Sequence, residues 1–126
     1  MQQSVRTATV RSYSSGTPGR ALCNARNHHW VVDNDDYNGG PGEEVGAGEA
    51  FLSGITACAV NMLERLEREG GMPLKWTGVT AEASRDSHAP PVHEGLSVYH
   101  SIHMSIELTG VDDDQAQELV GTYRRR

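Results

Sequence analysis

The residue best suited to covalent chemistry is Cys58, within the sequence GEAFLSGITACAVNMLERLEREGG at residues 48–71. A cysteine attacks electrophiles as its thiolate, which a nearby cation stabilises and an apolar environment disfavours. On the apolar face of a helix, a cysteine is more often a small buried side chain than a nucleophile. Both interpretations of Cys58 are open from the residues alone.

Two arginines and one glutamate are candidates to support a thiolate. Arg20 and Arg26 lie in predicted strands or turns, where most arginines are exposed to solvent. Glu49 lies at the start of the cysteine-bearing helix, where the helix dipole favours a carboxylate for structural reasons alone. Glu43 and Glu44, in the preceding loop, are interpreted as solvated charges.

The histidines and aspartates do not form a pattern typical of metal binding. Histidines adjacent in a strand point to opposite faces and are poorly placed to share an ion. There is no Cys-x-x-Cys or helical His-x-x-x-His pair, and the acidic run at residues 112–114 is too short for a calcium loop. A histidine beside the thiolate stays possible, but the sequence does not select one. The histidines are His28, His29, His88, His93, His100 and His103.

Length and charge restrict the class of protein. The 126 residues fit a single domain over 1–126. A formal charge of -6 argues against nucleic acid or an anionic membrane as the main partner, and the closing Arg124–Arg126 run is too short to change this. Two cysteines, Cys23 and Cys58, are too few for a secreted disulfide framework. Without a signal peptide or a membrane-spanning apolar run, a cytoplasmic protein is expected.

Hydrophobic periodicity predicts the elements that position these residues. Strands are expected over 4–13, within 19–33 with a turn near Asn27, and over 74–86 and 96–110. An acidic, glycine-rich loop is expected at 34–48, after the strands within 19–33. Helices are expected from about 48 to 70 and over 112–126. Because strands and helices do not alternate regularly, the fold class is α+β with a mainly antiparallel sheet.

The first helix is expected to be long and central. Small residues flank its apolar face, and Gly54 predicts that another backbone approaches closely. Gly70 and Gly71 are suited to end it. The predicted apolar face carries Phe51, Ile55, Cys58, Met62 and Leu66.

The stretch GGPGEEVGAGEAFLSGITAC at residues 39–58 resembles the central motif of the OsmC/Ohr family, namely a glycine-rich loop, a glutamate and a cysteine-bearing helix. NHHWVVDND at 27–35 is similar to the strand that enters this loop in the OsmC-like subgroup. The order of elements agrees over nearly the whole chain, including the C-terminal helix.

The resemblance implies an intertwined homodimer that reduces organic hydroperoxides through its cysteine. Cys58 would be the nucleophile and pass through a sulfenic acid. Arg20, as the better match, or Arg26 would stabilise the thiolate, and Glu49 would orient that arginine. No cofactor or metal is implied, but an external dithiol, typically a lipoyl group, would restore the enzyme.

The chain departs from the family pattern at two points. The family's second cysteine follows the second helix, beyond Arg126, and the early position of Cys23 does not suggest a replacement. This fits a C-terminally truncated chain or a divergent member equally. Glu49 matches the glutamate of the OsmC-like subgroup, whereas the classical peroxidases place theirs at the position of Gly48.

Three hypotheses follow. The first is a thiol peroxidase, acting with an external thiol because the second cysteine is missing. The second is a non-catalytic dimer of the same fold that binds a small apolar ligand at its interface, with Cys58 as a packing residue. The third is a structural fragment that has lost its activity.

Overall fold

The computed structural model describes residues 4–85 and 99–125, and within them the elements follow the order β1-β2-β3-α1-β4-β5-α2. A short 3-10 turn at Asp36–Asn38 interrupts the loop before α1. Strand pairing is antiparallel throughout the described sheets, which confirms the predicted α+β class. The bounds are β1 Arg11–Ser14, β2 Arg20–Ala25, β3 His28–Asp33, α1 Ala47–Gly70, β4 Trp76–Ser84, β5 Ser101–Thr109 and α2 Asp113–Arg124.

The chain divides into two compact units, and the boundary lies within α1, between Phe51 and Leu52. The first unit contains a three-stranded sheet in the order β1-β2-β3. The β2–β3 hairpin turns at Arg26 and Asn27, as predicted, and its register pairs Ala25 with His28 at the turn end. The first strand is shorter than predicted, since it begins at Arg11.

The second unit packs a two-stranded sheet and α2 around the main part of α1. Strands β4 and β5 pair along their full length, from Trp76 opposite Thr109 to Ser84 opposite Ser101. Side chains of β5 alternate as predicted, so that Met104, Ile106 and Leu108 are partly buried. The buried core consists of Leu63, Leu66 and Leu119, with partly buried side chains from both strands against it.

The buried face of α1 differs from the predicted one. Ala59, Leu63 and Leu66 are buried, whereas Cys58 is exposed and Phe51 is 58% exposed. Of the predicted apolar face, Leu66 is buried and Ile55 and Met62 are partly buried, while the fully buried positions Ala59 and Leu63 lie beside that face. Of the two interpretations that the sequence left open for Cys58, its exposure disfavours that of a buried packing residue.

The ends of the helices follow their sequence signals. Gly71 has a left-handed φ of 66° and the Met72 N–H donates to the Glu67 carbonyl at 3.1 Å, which ends α1 at the predicted glycines. At the start of α2, Asp112 and Gln115 form a reciprocal capping box. This confirms the N-terminal role predicted for that acidic run.

Some predictions lie outside the described residues or find no counterpart within them. The predicted loop at 87–95, with His88 and His93, and the start of the strand predicted at 96 are outside the described part of the chain. Within the described part, no atom beyond its own helix turn lies within 4 Å of a Cβ built on Gly54, so the predicted close approach is not made there. No helix among the described residues is long and apolar enough to cross a bilayer.

Candidate functional site

The first unit holds an arginine in a two-point ion pair. Arg20, the first residue of β2, lies directly opposite Asp33, the last residue of β3. The Arg20 Nε donates to Asp33 Oδ1 at 2.7 Å, and Nη2 donates to Oδ2 at 2.8 Å. Asp33 is only 1% exposed. A carboxylate buried to this degree requires such partners, and two parallel bonds fix the plane of the guanidinium.

The same aspartate ties the glycine-rich loop to the sheet. Its Oδ2 accepts the backbone N–H groups of Glu43 and Glu44 at 3.1 and 3.0 Å. Its own N–H donates to the Val45 carbonyl at 2.9 Å. Asp33 is therefore held by the sheet, the loop and the arginine together.

Glycines make this close arrangement possible. Gly19, with φ of 79°, packs so tightly that a Cβ there would collide with the backbone of Gly40. A Cβ on Gly40 would in turn collide with Asn34. The glycine-rich composition of the loop thus has a packing cause next to the ion pair.

Glu43 completes what is called here the arginine cluster, Arg20, Asp33 and Glu43. Arg20 Nη2 also donates to Glu43 Oε1 at 3.2 Å, and the Glu43 side chain is 73% exposed. The interpretation of Glu43 as a purely solvated charge is therefore wrong, although its exposure makes this contact the weaker of the two.

The cluster shifts the pKa values of both Asp33 and Arg20. The pKa of Asp33 is lowered from 3.8 to about 2, first by the hydrogen bond from Arg20 and also by the N–H groups of Glu44 and Glu43, against the opposing effect of burial. The hydrogen bond to Asp33 raises the pKa of Arg20, with a smaller contribution from Glu43. Both groups are charged throughout the range in which proteins work.

The other two charged candidates lie elsewhere in this unit. Glu49 Oε1 accepts the N–H of Gly46 at 2.9 Å, which is the contact of a carboxylate that caps a helix. The carboxylates that contact Arg20 are thus Asp33 and Glu43, and the orienting role predicted for Glu49 stays a prediction. Arg26 lies in the hairpin turn with φ of 55°, beyond the opposite end of β2 from Arg20.

The two cysteines have opposite environments. Cys58 belongs to the second unit and is exposed on α1. Cys23, in β2, is 6% exposed and accepts a hydrogen bond from the Ser12 hydroxyl at 3.2 Å. No group of three or more metal-ligating side chains occurs in residues 4–85 and 99–125.

A groove lies between β5 and α2 in the second unit. Its volume is about 490 Å³, and its lining is mainly apolar, with one cation at the end of the helix. Ile106 and Leu108 form the sheet side, while Val120 and Arg124 lie on the helix side.

Asp33 is the residue that the sequence reasoning missed. A signal was present, because a two-residue turn at Arg26 and Asn27 places Arg20 directly opposite Asp33 in the hairpin. The predicted turn near Asn27, with the antiparallel register extended to the other end of the strands, indicates this pair.

Comparisons with known proteins identify the fold. No protein-family model matches the sequence, and no curated protein matches it. Among solved structures, an OsmC-like protein from Mycoplasma pneumoniae superposes with a TM-score of 0.80 at 13% identity, over 96% of this chain and 82% of that one. An organic hydroperoxide resistance protein from Elizabethkingia anophelis, with crystallant-derived thiocyanate bound, superposes with a TM-score of 0.75 at 16% identity, over 98% of this chain and 85% of that one.

A third solved structure agrees with these two. The organic hydroperoxide resistance protein OsmC from Legionella pneumophila gives a TM-score of 0.65 at 16% identity, over 98% of this chain and 85% of that one. At such low identity the shared property is the fold.

Proposed function

We propose that this chain, whose fold is that of the OsmC and organic hydroperoxide resistance proteins, is a thiol-dependent peroxidase for organic hydroperoxides. The observation that carries the proposal is the exposed thiol of Cys58 on α1, in a fold shared with hydroperoxide resistance proteins. A nucleophile must be accessible to its substrate, and an inert packing cysteine need not be.

In the proposed reaction, the Cys58 thiolate attacks one peroxide oxygen and the O–O bond breaks. The sulfur is oxidised to a sulfenic acid, and the other oxygen leaves with a proton as an alcohol. One thiol of an external dithiol then attacks the sulfenic sulfur and releases water. The second thiol of that dithiol breaks the mixed disulfide and restores Cys58.

An external reductant is proposed because of where Cys23 lies. Its sulfur is buried in the sheet of the first unit and hydrogen-bonded to Ser12. A resolving cysteine has to reach the sulfenic acid, and this residue is packed as a core side chain. A lipoyl group is the proposed dithiol, on the resemblance to the family.

Arg20 is proposed as the cation that stabilises the thiolate, with Glu49 as the further residue implied by the resemblance. What supports Arg20 is its fixed geometry, since a guanidinium held by a buried carboxylate is oriented before substrate arrives. Arg26, in an exposed hairpin turn, has no such support.

A homodimer is proposed as the working form, in the cytoplasm. Large apolar side chains are exposed in the first unit, and such surface is typical of chains that associate. Dimer formation would also give a reason for Gly54 and its small neighbours on the exposed side of α1. The exposed apolar residues of that unit are Val5, Val10, Tyr13, Trp30, Tyr37, Val45 and Phe51.

The test compares two cysteine variants. The purified protein should reduce cumene hydroperoxide with dihydrolipoamide as the electron donor, and trapping with dimedone should label Cys58. Cys58→Ser should lower the rate by more than about a hundredfold, because the nucleophile is lost. Cys23→Ser is the matched control and should keep the activity.

Two results would contradict the proposal. One is a wild-type protein that consumes neither cumene hydroperoxide nor a lipid hydroperoxide with the dithiol present. The other is a Cys58→Ser variant that keeps its activity. If Cys58→Ser instead leaves binding of a small apolar ligand intact in a protein without peroxidase activity, the non-catalytic alternative is favoured.

A further inference from the structure

The groove between β5 and α2 has the dimensions of a small-molecule site. Its volume of about 490 Å³ lies within the range of about 300–1,000 Å³ that such sites occupy. Along the helix its lining runs from Ala116 to Arg124, a span of about 12 Å at the rise of an α-helix. The residues that line it all belong to the second unit, so the groove is formed within that unit.

The walls of the groove are apolar side chains that the core covers only in part. Ile106 and Leu108 pack against the buried leucine cluster and are themselves partly buried. Val120, which follows the buried Leu119 on α2, is partly buried as well. Each of the three still exposes apolar surface, and an apolar ligand in the groove would remove that surface from water.

A glycine leaves space on the helix side of the groove. Gly121 lies within α2, where glycine is less favourable than alanine, and it has no left-handed φ that would require it. Among the described residues, a Cβ built there meets one atom within 4 Å besides its chain neighbours and the helix backbone, namely Arg125 Nη1 at 3.4 Å. That is an ordinary contact distance. Packing within the described residues therefore does not explain this glycine, whereas a ligand in the groove would.

Arg124 supplies a cation at the C-terminal end of the groove. It lies in the last turn of α2 and is exposed. None of the ion pairs formed within residues 4–85 and 99–125 includes it. Its neighbour Arg125 has a partner, since Nη2 of that residue donates to the Thr122 hydroxyl at 3.2 Å. A guanidinium is always charged, and it can bind a carboxylate through two parallel N–H bonds.

The charge of the lining favours an anion. The whole chain has a formal charge of -6, but the described residues that line the groove include one arginine and no carboxylate. Their other polar side chain, Gln117, is neutral. The groove thus differs in sign from the chain as a whole, and a ligand that suits it has an apolar body and one negative end.

We propose that this groove binds a small apolar monocarboxylate, with its apolar body against Ile106 and Val120 and its carboxylate paired with Arg124. An acyl chain of medium length matches the span from Ala116 to Arg124. Binding is reversible and forms no covalent bond. This inference does not rest on the proposed function, because no step of the peroxidase reaction uses the groove.

The test is a calorimetric titration of the full chain at pH 7 with octanoate, below the concentration at which it forms micelles. It is repeated at two temperatures, because burial of apolar surface makes the heat of binding depend on temperature. A single octanoate should bind per chain. Octan-1-ol, which has the same apolar body without the charge, should bind about tenfold more weakly, and acetate should not bind detectably.

Two substitutions locate the ligand. Arg124→Gln should weaken octanoate binding about tenfold and remove the preference over octan-1-ol, because the charged pair is lost. Arg68→Gln is the matched control, since it removes the same charge from an exposed position in the last turn of α1, and it should change the affinity by less than about twofold. Gly121→Leu should abolish the binding of both compounds, because its side chain occupies the groove. Circular dichroism in urea checks that each variant is folded.

Four results would overturn the proposal. They are a wild-type chain that does not bind octanoate, equal affinities for octanoate and octan-1-ol, unchanged binding in Arg124→Gln, and binding that persists in a folded Gly121→Leu variant. If Gly121→Leu does not fold, Arg124→Gln decides alone, since an exposed side chain can be replaced without disturbing the core. The titration contains no peroxide, so its result is separate from that of the peroxidase assay.

Discussion

The two units of this chain are stabilised by different chemistry. In the second unit the largest fully buried side chain is Leu63, and it lies among other leucines. In the first unit the largest fully buried side chain is Asp33, a charged residue whose partners are an arginine and a loop backbone. The second unit is built on apolar burial and the first on a satisfied polar cluster.

This difference determines how each unit tolerates substitution. An apolar core tolerates similar side chains, whereas a buried charge requires particular partners at particular atoms. The first unit also exposes most of the large apolar side chains of the described residues, such as Val5 and Tyr37. Its surface therefore carries apolar side chains, while its interior holds the ion pair between Arg20 and Asp33.

The largest expected effect is on the apolar core. Leu63→Ala should lower the free energy of unfolding by about 2–5 kcal/mol, because it leaves a cavity at a fully buried position of α1. The chain has two tryptophans, Trp30 in the first unit and Trp76 in the second, so Trp30→Phe and Trp76→Phe backgrounds report each unit by fluorescence in urea. The urea midpoint of unfolding should fall more when the fluorescence of Trp76 is followed than when that of Trp30 is followed.

Glu64→Ala is the control for this substitution. It alters the next residue of the same helix, which is exposed, and should change the stability by less than about 0.5 kcal/mol. If Leu63→Ala lowers the urea midpoints reported by Trp30 and by Trp76 equally, the two units unfold together and their stabilities are not separate.

The sequence predicted the two units unequally well, for a physical reason. Leu66 in the core and the alternation along β5 follow from short-range periodicity, which the sequence carries directly. Asp33 is next to an acidic loop in the sequence, and its importance comes from a partner across the hairpin. Periodicity identifies the buried face of a helix or strand, but predicting an ion pair between two strands requires the register in which they pair.

The second expected effect is a pH dependence confined to the first unit. Asp33 has a pKa of about 2 in the folded chain against an ordinary 3.8, so the unfolded chain binds more protons between these values. The contribution of Asp33 is therefore fully present above about pH 4 and is lost as the pH falls toward 2. Urea midpoints reported by Trp30 should fall over this window.

Asp33→Asn provides the comparison that isolates this effect. Its stability should lie below that of the wild type at pH 6, and the difference should shrink toward pH 2, where the wild-type carboxylate loses its charge by protonation. Glu44→Gln, with an exposed carboxylate, should follow the wild-type curve. Parallel curves for the wild type and Asp33→Asn would show that Asp33 is not the group responsible.

The smallest expected effect tests the apolar character of the second unit. Thr77 Oγ1, on β4, is buried and has no hydrogen-bond partner among the described residues. An unsatisfied buried hydroxyl costs about 1–3 kcal/mol, and valine keeps the branched shape that a strand favours. Thr77→Val should therefore raise the free energy of unfolding by up to about 1 kcal/mol in urea titrations, while Thr80→Val, on the exposed face, should be nearly neutral. A loss of stability would mean that the hydroxyl has a partner, and that the second unit, like the first, depends on a specific polar contact.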